Sequence, residues 1–232
     1  MVPELLKGAL APVTVIVGHY GVGKTNFACN LAIGLASEGT AAVTLADLDI
    51  VNPYFRASEQ RSILEQSGVQ VIAPVFAEAG SSLDVPSLRG SIVPALQAAD
   101  GSHRVLVDAG GDDAGAVALG RFGAAIAQGP YAMLGILNGL RQEVRSPAEA
   151  AENLRAIEAA CGLRCTALVD NTHLKGETTR EVLRGGFAFA QEAAALMELP
   201  LVAVTVPSGL EAPFLPEALA YPVETYVRNP WE

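Results

Sequence analysis

Short apolar segments alternate with longer amphipathic segments along most of this chain. Short, mainly apolar runs of three to six residues are typical of strands buried on both faces, and the segments between them have the spacing of helices. The predicted strands are Val13–Val17, Ala41–Ala46, Val69–Ile72, Val105–Val107, Ala132–Leu137, Thr166–Val169 and Leu201–Val206. The predicted helices are Asn26–Ser37, Val85–Ala98, Ala114–Ala127, Pro147–Ala160, Glu177–Met197 and Pro216–Ala220. We expect a doubly wound, mostly parallel sheet with helices on both faces, a three-layer α/β sandwich.

The length and composition fit one domain covering residues 1–232. Half of the residues are hydrophobic, which is enough for a large buried sheet. No apolar run approaches the roughly 18 residues of a membrane span. The segment Met1–Pro12 contains Glu4 and Lys7 and does not have the pattern of a signal peptide. We therefore expect a cytoplasmic protein.

The charge of the chain disfavours nucleic acid and anionic membranes as partners. Its formal net charge is −10 and its pI is about 4.8, and no basic run interrupts the acidic background. The three cysteines, Cys29, Cys161 and Cys165, give no disulfide framework and suit a reducing compartment. Cys161 and Cys165 are half of a metal site at most, and small buried hydrophobic residues explain them better.

A complete phosphate-binding loop follows the first predicted strand. The sequence from Gly18 to Thr25 matches G-x-x-x-x-G-K-[ST] at every fixed position and precedes a helix. In such a loop glycines let backbone N–H groups surround phosphates, the lysine reaches the terminal phosphates and the hydroxyl binds Mg²⁺. The dinucleotide pattern G-x-G-x-x-G fails, because Asn26 stands where its last glycine belongs. The candidate nucleotide-binding residues here are Gly18, His19, Tyr20, Gly21, Val22, Gly23, Lys24, Thr25 and Asn26.

Carboxylates follow two other predicted strands. Asp47 and Asp49 come at the end of the second strand, which we expect to neighbour the loop strand, and both could face the metal and the terminal phosphate. The alternative is ordinary turn chemistry in a strand-to-helix connection. Asp108 ends the strand Val105–Val107, and an aspartate at this place is typical of the Mg²⁺ carboxylate in phosphate-loop enzymes. The glycines after it, at 110 and 111, would let the backbone approach a phosphate. Asp112 would cap the next helix.

The other end of the expected pocket offers weaker signals. Asn171 directly follows a strand, and its amide could pair with adenine; an asparagine turn is the alternative. Guanine-specific proteins usually have N-K-x-D there, and the residues after Asn171 lack the lysine and the aspartate, which favours ATP over GTP. Pro207, after the last strand, could flank the base. His103 and His173 lie in predicted loops and are expected to be surface residues. Arg141 and Arg145 follow the strand Ala132–Leu137 and could meet phosphate or a partner subunit, with solvated charges as the default. Arg56 is a better candidate because it lies in the segment that carries Asp47 and Asp49.

These blocks together resemble the MinD/ParA class of phosphate-loop ATPases, which also includes the nitrogenase iron protein and the cobyrinate amidases. The resemblance rests on Gly18–Thr25 with the Asn-Leu-Ala at 30–32, on Asp47-Leu48-Asp49, and on Val107-Asp108. It implies that Mg-ATP binds between two subunits and that hydrolysis switches the dimer. By this resemblance the catalytic residues would be Lys24, Asp49 and Asp47, and Asp49 would orient the attacking water. Thr25, Asp47 and Asp108 would hold Mg²⁺.

One position departs from the class. Its members usually have a second lysine just after the first loop glycine, which reaches the partner subunit's nucleotide, whereas this chain has His19. The function implied is an ATP-dependent switch or maturation factor that acts on another protein, with a homodimer as one possible form. Two alternatives stay open: an ATP-dependent ligase similar to dethiobiotin synthetase or the cobyrinate amidases, whose members also lack the extra lysine, and a module that binds ATP without hydrolysing it.

Overall fold

Helices and strands alternate in the computed structural model, which describes residues 1–49, 60–73, 85–111, 113–144 and 146–227, and only the backbone of residues 85–89 and 113. The strands are β1 (Val13–Val17), β2 (Ala42–Asp47), β3 (Val69–Ile72), β4 (His103–Asp108), β5 (Tyr131–Leu137), β6 (Ala167–Asp170), β7 (Leu201–Pro207) and β8 (Ala220–Val223). The helices are α1 (Glu4–Ala9), α2 (Lys24–Glu38), α3 (Arg61–Gln66), α4 (Val85–Ala98), α5 (Asp113–Ile126), α6 (Pro147–Cys161) and α7 (Arg180–Met197).

The strands of the described residues form one eight-stranded sheet in the order β3-β2-β4-β1-β5-β6-β7-β8. Every pairing among them is parallel. Because the strands point the same way, the ends of β1, β2, β4, β5, β6 and β7 meet at one edge of the sheet. The expectation that β2 neighbours the loop strand was wrong, because β4 lies between β1 and β2 and pairs with both.

Helices cover both faces of the sheet, as the alternation of apolar segments predicts. Val13, Val15 and Val17 of β1 point to one face and join residues of α4, α5, α6 and α7 in a buried cluster. Ile16 points to the other face, where it packs with residues of α1, α2 and α3. Successive side chains of a strand alternate between faces, and both faces of β1 are apolar because both are covered. The doubly wound three-layer fold is confirmed.

Local signals in the sequence explain where the main helices begin and end. α2 buries Phe27, Leu31 and Leu35 at the four-residue spacing seen in the sequence, and ends at Gly39 with a left-handed φ of 66°. α6 begins after Ser146, whose hydroxyl accepts a hydrogen bond from the Glu149 N–H at 3.2 Å. The observed bounds of α4, α5 and α6 lie within one residue of the predicted ones.

Four elements differ from the prediction. The expected helix at Pro216–Ala220 is a single turn, and the chain enters β8 at Ala220, because the Val204 N–H donates to the Leu219 carbonyl at 2.7 Å. Five residues are too few to sustain a helix against that strand pairing. α1 and α3 have six residues each, which is too short for a helical period to be recognised in the sequence. The helix expected from residue 177 begins at Arg180, after a short 3₁₀ turn.

Two expectations from the sequence concern the state of the cysteines and the presence of a membrane-spanning segment. Cys29, Cys161 and Cys165 are buried free thiols packed among apolar side chains, as predicted. Burial raises the pKa of all three thiols, which keeps them protonated and weakly reactive. Among the described residues, no helix combines the length and the hydropathy needed to cross a bilayer.

Candidate functional site

Three glycines give the loop after β1 its shape. Gly18, Gly21 and Gly23 have φ values of 151°, 73° and 87°, which other residues rarely adopt. Space is restricted as well: a Cβ on Gly18 would stand 2.5 Å from the Ile136 carbonyl oxygen of the neighbouring strand β5, and one on Gly23 would collide with the Asn171 side chain. The loop therefore needs glycine both for its backbone conformation and for its contacts.

A cavity of about 490 Å³ opens over this loop at the edge where the strands end. This volume lies within the range of pockets that hold small ligands and cofactors. Its lining residues come from the loop and α2, from the ends of β2, β5, β6 and β7, and from the C-terminal segment. They are Tyr20, Gly21, Gly23, Lys24, Thr25, Asn26, Asp49, Asn138, Leu140, Arg141, Asn171, His173, Leu174, Lys175, Thr205, Pro207, Val223, Thr225 and Val227.

Lys24 lies at the N-terminus of α2 and folds back over the loop. Its Nζ donates to the His19 carbonyl at 3.1 Å, and the lysine is only 6% exposed. The chain after β4 passes directly above it, because a Cβ on Gly111 would collide with Lys24 Nζ and would stand 2.8 Å from the Tyr20 nitrogen. The glycine after β4 is thus required for the close approach that the sequence suggested.

Three aspartates stand beside Lys24 at the ends of β2 and β4. Asp47 and Asp108 are paired in register on these neighbouring strands and both are fully buried. The Asp47 Oδ1 accepts a hydrogen bond from the Asp49 N–H at 3.0 Å, which turns the chain so that Asp49 lines the cavity. The structure therefore brings together the acidic residues that the sequence singled out.

Electrostatics makes this group of aspartates unfavourable without a cation. Burial, and then the nearby Asp47, raise the pKa of Asp108 to about 8, while Thr25 and Lys24 act in the opposite direction. Neither carboxylate oxygen of Asp108 has a hydrogen bond of ordinary length to another described residue. A buried carboxylate in this condition favours either a proton or a metal ion.

The residues present fit Mg²⁺ together with a phosphate. Within the part of the chain that the structure describes, no three His, Cys, Asp or Glu side chains are grouped to hold a metal by themselves. Mg²⁺ does not need such a group, since it usually binds one or two carboxylates, retains water and takes its other ligands from phosphates. Thr25, Asp47 and Asp108 would hold the ion here, and the ion would neutralise charge on the phosphates.

The Asn171 amide lines the cavity against the phosphate-binding loop and is already engaged. Its Nδ2 donates to the Val22 carbonyl at 2.7 Å, and its Oδ1 accepts from the Thr205 hydroxyl at 2.7 Å. Asn171 therefore connects the phosphate-binding loop to β7, whatever else it contacts. Pro207 also lines the cavity.

Asn26 lies at the cavity wall but holds the C-terminal segment. Its Oδ1 accepts hydrogen bonds from the N–H groups of Tyr226 and Val227, and its Nδ2 donates to the Glu224 carbonyl at 2.9 Å. One turn further along α2, Asn30 pairs with both backbone groups of Glu224 at 2.8 Å. The two asparagines thereby fix the wall that Val223, Thr225 and Val227 contribute, a role that no sequence signal indicated.

Two predictions about histidines were wrong, and Arg141 is not the solvated charge expected by default. His103 begins β4 and lies 2.8 Å from the Thr44 hydroxyl, so it is not a loop residue without a partner. His173 lines the cavity beside Gly23; burial, together with the positive charges of Arg141 and Lys175, lowers its pKa to about 4, so the imidazole is neutral near pH 7. The Arg141 guanidinium lies against the loop at Gly21.

The sequence did not predict some of the residues that line the cavity, and three of the residues considered in the sequence lie outside the described residues. Asn138 follows β5 at the same edge as Asp47 and Asp108, so inspecting every strand end would have found it. Lys175, Thr225 and Val227 gave no signal, because their segments have no motif and approach only through the fold. Arg56, Asp112 and Arg145 lie outside the described residues.

Structure comparison places the chain among the phosphate-loop NTPase folds. No family model matches the chain, and no curated protein matches it. The FtsY signal recognition particle receptor from Elizabethkingia anophelis in complex with GDP is similar, with 25% identity and a TM-score of 0.55 over 84% of this chain. The 54 kDa signal recognition particle protein from Aeropyrum pernix K1 in complex with GDP has 20% identity and a TM-score of 0.57 over 90% of this chain. The cell division protein FtsY from Thermotoga maritima has 21% identity and a TM-score of 0.54 over 85%.

These similarities define the class of fold and no more. The chain spans 57%, 46% and 64% of the lengths of these three structures, so it matches only part of each. The fold is that of a phosphate-loop NTPase, with the glycine loop, the neighbouring acidic strand β4 and helices on both faces of a parallel sheet.

Proposed function

We propose that this chain is a Mg²⁺-dependent ATP-binding protein of the MinD/ParA class that hydrolyses ATP and acts as a nucleotide-driven switch or maturation factor for another protein. The observation that carries the proposal is the cavity of about 490 Å³ over the glycine loop, with Lys24, Thr25 and Asp49 in its lining. Cation, hydroxyl and carboxylate are arranged there around a space that suits a nucleotide.

The loop end of the cavity suits a triphosphate. The N-terminus of α2 supplies backbone N–H groups and a favourable dipole, and Lys24 adds a nearly buried positive charge. The buried carboxylate of Asp108 suits the Mg²⁺ that accompanies such a ligand. GDP in the FtsY structure, at 25% identity, supports a nucleotide in the same class of loop.

The opposite end suits adenine better than guanine. Guanine presents two neighbouring N–H donors that a carboxylate can accept together, whereas adenine presents one donor beside one acceptor. Among the described residues lining the cavity, the only carboxylate is Asp49, which lies at the phosphate end. Asn171, Thr205 and Pro207, where we propose that the base binds, line the cavity and offer no carboxylate, which supports ATP.

Hydrolysis would rest mainly on positioning. Asp49 lines the cavity next to Gly110, whose Cβ position is 3.5 Å from the Asp49 Oδ1, and the hydrogen bond to Asp47 fixes its backbone. From this place Asp49 would orient a water for in-line attack, and Lys24 would stabilise charge on the terminal phosphate. Bound Mg²⁺ would supply further charge neutralisation.

The rim of the cavity supports a protein partner. Tyr20, Leu140 and Leu174 all line the cavity and are 53%, 45% and 44% exposed. Exposed apolar side chains that border a pocket and are rimmed by polar residues are typical of protein interaction sites. A partner, or a second copy of the chain, would cover them when nucleotide is bound.

The test is a binding and turnover measurement on the purified chain. Calorimetry with ATP and GTP, with and without Mg²⁺, should give tighter binding of Mg-ATP, and Lys24→Ala should lose it. Lys7→Ala is a matched control because Lys7 pairs with Glu38 on the far side of the fold and lies outside the cavity. Sizing with and without Mg-ATP then tests for a dimer despite His19. Failure of the wild-type chain to bind either triphosphate would refute the proposal.

Preference for GTP is the competing outcome, and the bound GDP of the similar FtsY structure is the observation that favours it. A tighter Kd for Mg-GTP than for Mg-ATP would reject ATP while keeping the phosphate-loop chemistry. A retained nucleotide without turnover would instead favour a binding module.

A further inference from the structure

The segment that follows β5 approaches the phosphate-binding loop from the side opposite the aspartates. β5 pairs with β1, and Gly18 lies against the Ile136 carbonyl, so residues after Leu137 emerge beside the loop. Asn138 and Arg141 both line the cavity. Neither belongs to the loop motif or to the acidic strand ends.

Asn138 is buried with an unused donor. It is 2% exposed, its Oδ1 accepts from the Leu140 N–H at 3.1 Å, and its Nδ2 has no partner among the described residues. A buried amide nitrogen without a hydrogen bond is unfavourable, so such groups are usually completed by a ligand or a water. The unused N–H groups of Asn138 therefore indicate an acceptor in the cavity.

Arg141 places a positive charge at the loop backbone. Its Cζ, Nε and Nη1 lie 3.4–3.5 Å from the position that a Cβ on Gly21 would occupy. Its Nε is buried and has no hydrogen-bond partner within the described ranges. A guanidinium whose Nε is out of water and unpaired is not an ordinary solvated charge.

The segment is held firmly enough to present these donors. The Gly139 N–H donates to the Thr172 hydroxyl at 3.0 Å, and a Cβ on Gly139 would stand 2.9 Å from the Phe189 ring. The Arg141 N–H bonds back to the Asn138 carbonyl at 3.3 Å, and the Val144 N–H bonds to the Arg141 carbonyl at 3.0 Å. The turn is thus packed against α7 and tied to the segment after β6.

We propose that Asn138 and Arg141 form a second phosphate-binding element, in which the Arg141 guanidinium and the Asn138 amide donate to phosphate oxygens of the nucleotide that the glycine loop holds. This inference rests on the proposed function and adds to it a cation supplied by the same chain. Two of the three lysines, Lys24 and Lys175, also line the cavity of this acidic protein, which concentrates positive charge in the cavity.

Affinity measurements with ligands of graded phosphate content test the inference. Mg-ATP, ADP and adenosine are titrated into the wild-type chain, Arg141→Gln, Arg141→Lys and Asn138→Asp. Arg141→Gln should weaken ATP and ADP about 10- to 100-fold, as expected for lost charge-assisted hydrogen bonds, and leave adenosine unchanged. Arg141→Lys keeps the charge without the planar fork and should recover part of the loss. Asn138→Asp keeps the shape of the side chain but replaces the N–H donor with an anionic oxygen. It should therefore also weaken the binding of ATP and of ADP.

Arg121→Gln is the matched control, because Arg121 is an exposed arginine of α5 outside the cavity and its loss changes net charge equally. It should bind ATP as the wild type does. Thermal unfolding without ligand checks that each variant is folded. Equal ATP affinity in Arg141→Gln and wild type, with loss in Lys24→Ala, would overturn this inference and keep the proposed function. Equal losses for ATP and adenosine would also overturn it, and a wild-type chain that binds neither nucleotide nor inorganic tripolyphosphate would overturn both proposals.

Discussion

Lys24 and Gly111 are so close that the glycine has no room for a side chain. The Lys24 Nζ and the Tyr20 backbone nitrogen occupy the space where a Cβ on Gly111 would extend. The end of β4 and the phosphate-binding loop are therefore in direct contact. A substitution at Gly111 must displace Lys24 or the loop backbone, and a shift of the loop must displace the chain after β4.

Replacing Gly111 with alanine should therefore impair nucleotide binding. The added methyl group must displace Lys24 or the loop backbone, and we expect ATP affinity to fall about 10-fold or more and stability to fall by about 1–3 kcal/mol. Calorimetry and urea unfolding measure the two effects. Gly101→Ala is the control, because nothing lies within 4 Å of its Cβ position. Wild-type affinity in Gly111→Ala would show that the contact is not needed.

Replacing Asp49 with asparagine should separate binding from hydrolysis. The substitution retains the size of the side chain and the backbone hydrogen bond to Asp47, so ATP affinity should stay within about 3-fold of wild type. The loss of the carboxylate that orients water should lower kcat about 100-fold. Single-turnover phosphate release measures the rate. Unchanged turnover would remove Asp49 from this role.

Replacing Asp108 with asparagine should stabilise the metal-free protein and weaken its response to Mg²⁺. Burial and the neighbouring Asp47 raise the pKa of Asp108 to about 8, so the metal-free fold must keep a proton on this carboxyl at neutral pH, and asparagine avoids that cost. We expect a higher Tm in EDTA than for wild type, together with a smaller gain in ATP affinity on adding Mg²⁺. A lower Tm in EDTA than for wild type, or an unchanged gain in ATP affinity on adding Mg²⁺, would contradict the prediction that Asp108 lowers stability in order to bind the metal.

The sequence predicted the elements that carry a strong local signal. The four-residue spacing of Phe27, Leu31 and Leu35 defines the buried face of α2, and the runs of β-branched residues define the central strands. Short elements such as α1 and α3 have too few residues for a period. β8 forms because its edge pairs with β7, a non-local contact that residues 216–220 do not encode.

The site shows the same division between local and non-local information. The glycine loop is one continuous motif, and the aspartates follow strands, so a rule about strand ends finds them. The order of strands is not written in any one segment, which is why β4 was not expected between β1 and β2. The sequence could not favour a cavity position for His173, or a phosphate contact over a solvated charge for Arg141, because their neighbours, Gly23 and Gly21, are more than 100 residues away in the sequence.

Replacing Asn30 with alanine should loosen the C-terminal wall of the cavity. The Asn30 amide pairs with both the N–H and the carbonyl of Glu224, so its loss leaves two backbone groups without that partner and should cost about 1–3 kcal/mol. Hydrogen exchange of residues 220–227 should accelerate, because their attachment to α2 is weakened. Gln128→Ala, an exposed amide outside the cavity, is the control. Unchanged exchange in this segment would show that Asn26 alone holds the wall.

Asp170 should make stability depend on pH between about pH 4 and pH 6. Burial raises the pKa of this carboxyl at the end of β6 to about 6, against the favourable hydrogen bonds from Thr172. Because the folded pKa is above the unfolded value, the folded state binds the proton more tightly, and the stability present at low pH is lost as pH rises through the folded pKa. The loss corresponds to about 1–3 kcal/mol at neutral pH.

Asp170→Asn isolates this contribution from the titration of the other carboxylates. Asparagine keeps an oxygen for the Thr172 N–H, which donates to Asp170 Oδ1 at 3.0 Å, and cannot ionise. The variant should match wild type near pH 4 and exceed its free energy of unfolding increasingly up to about pH 7. Urea unfolding of both proteins across this range gives the difference directly. A difference that does not change with pH would mean that Asp170 titrates alike in the folded and unfolded chains, and a difference of the opposite sign would mean that a charged Asp170 stabilises the end of β6.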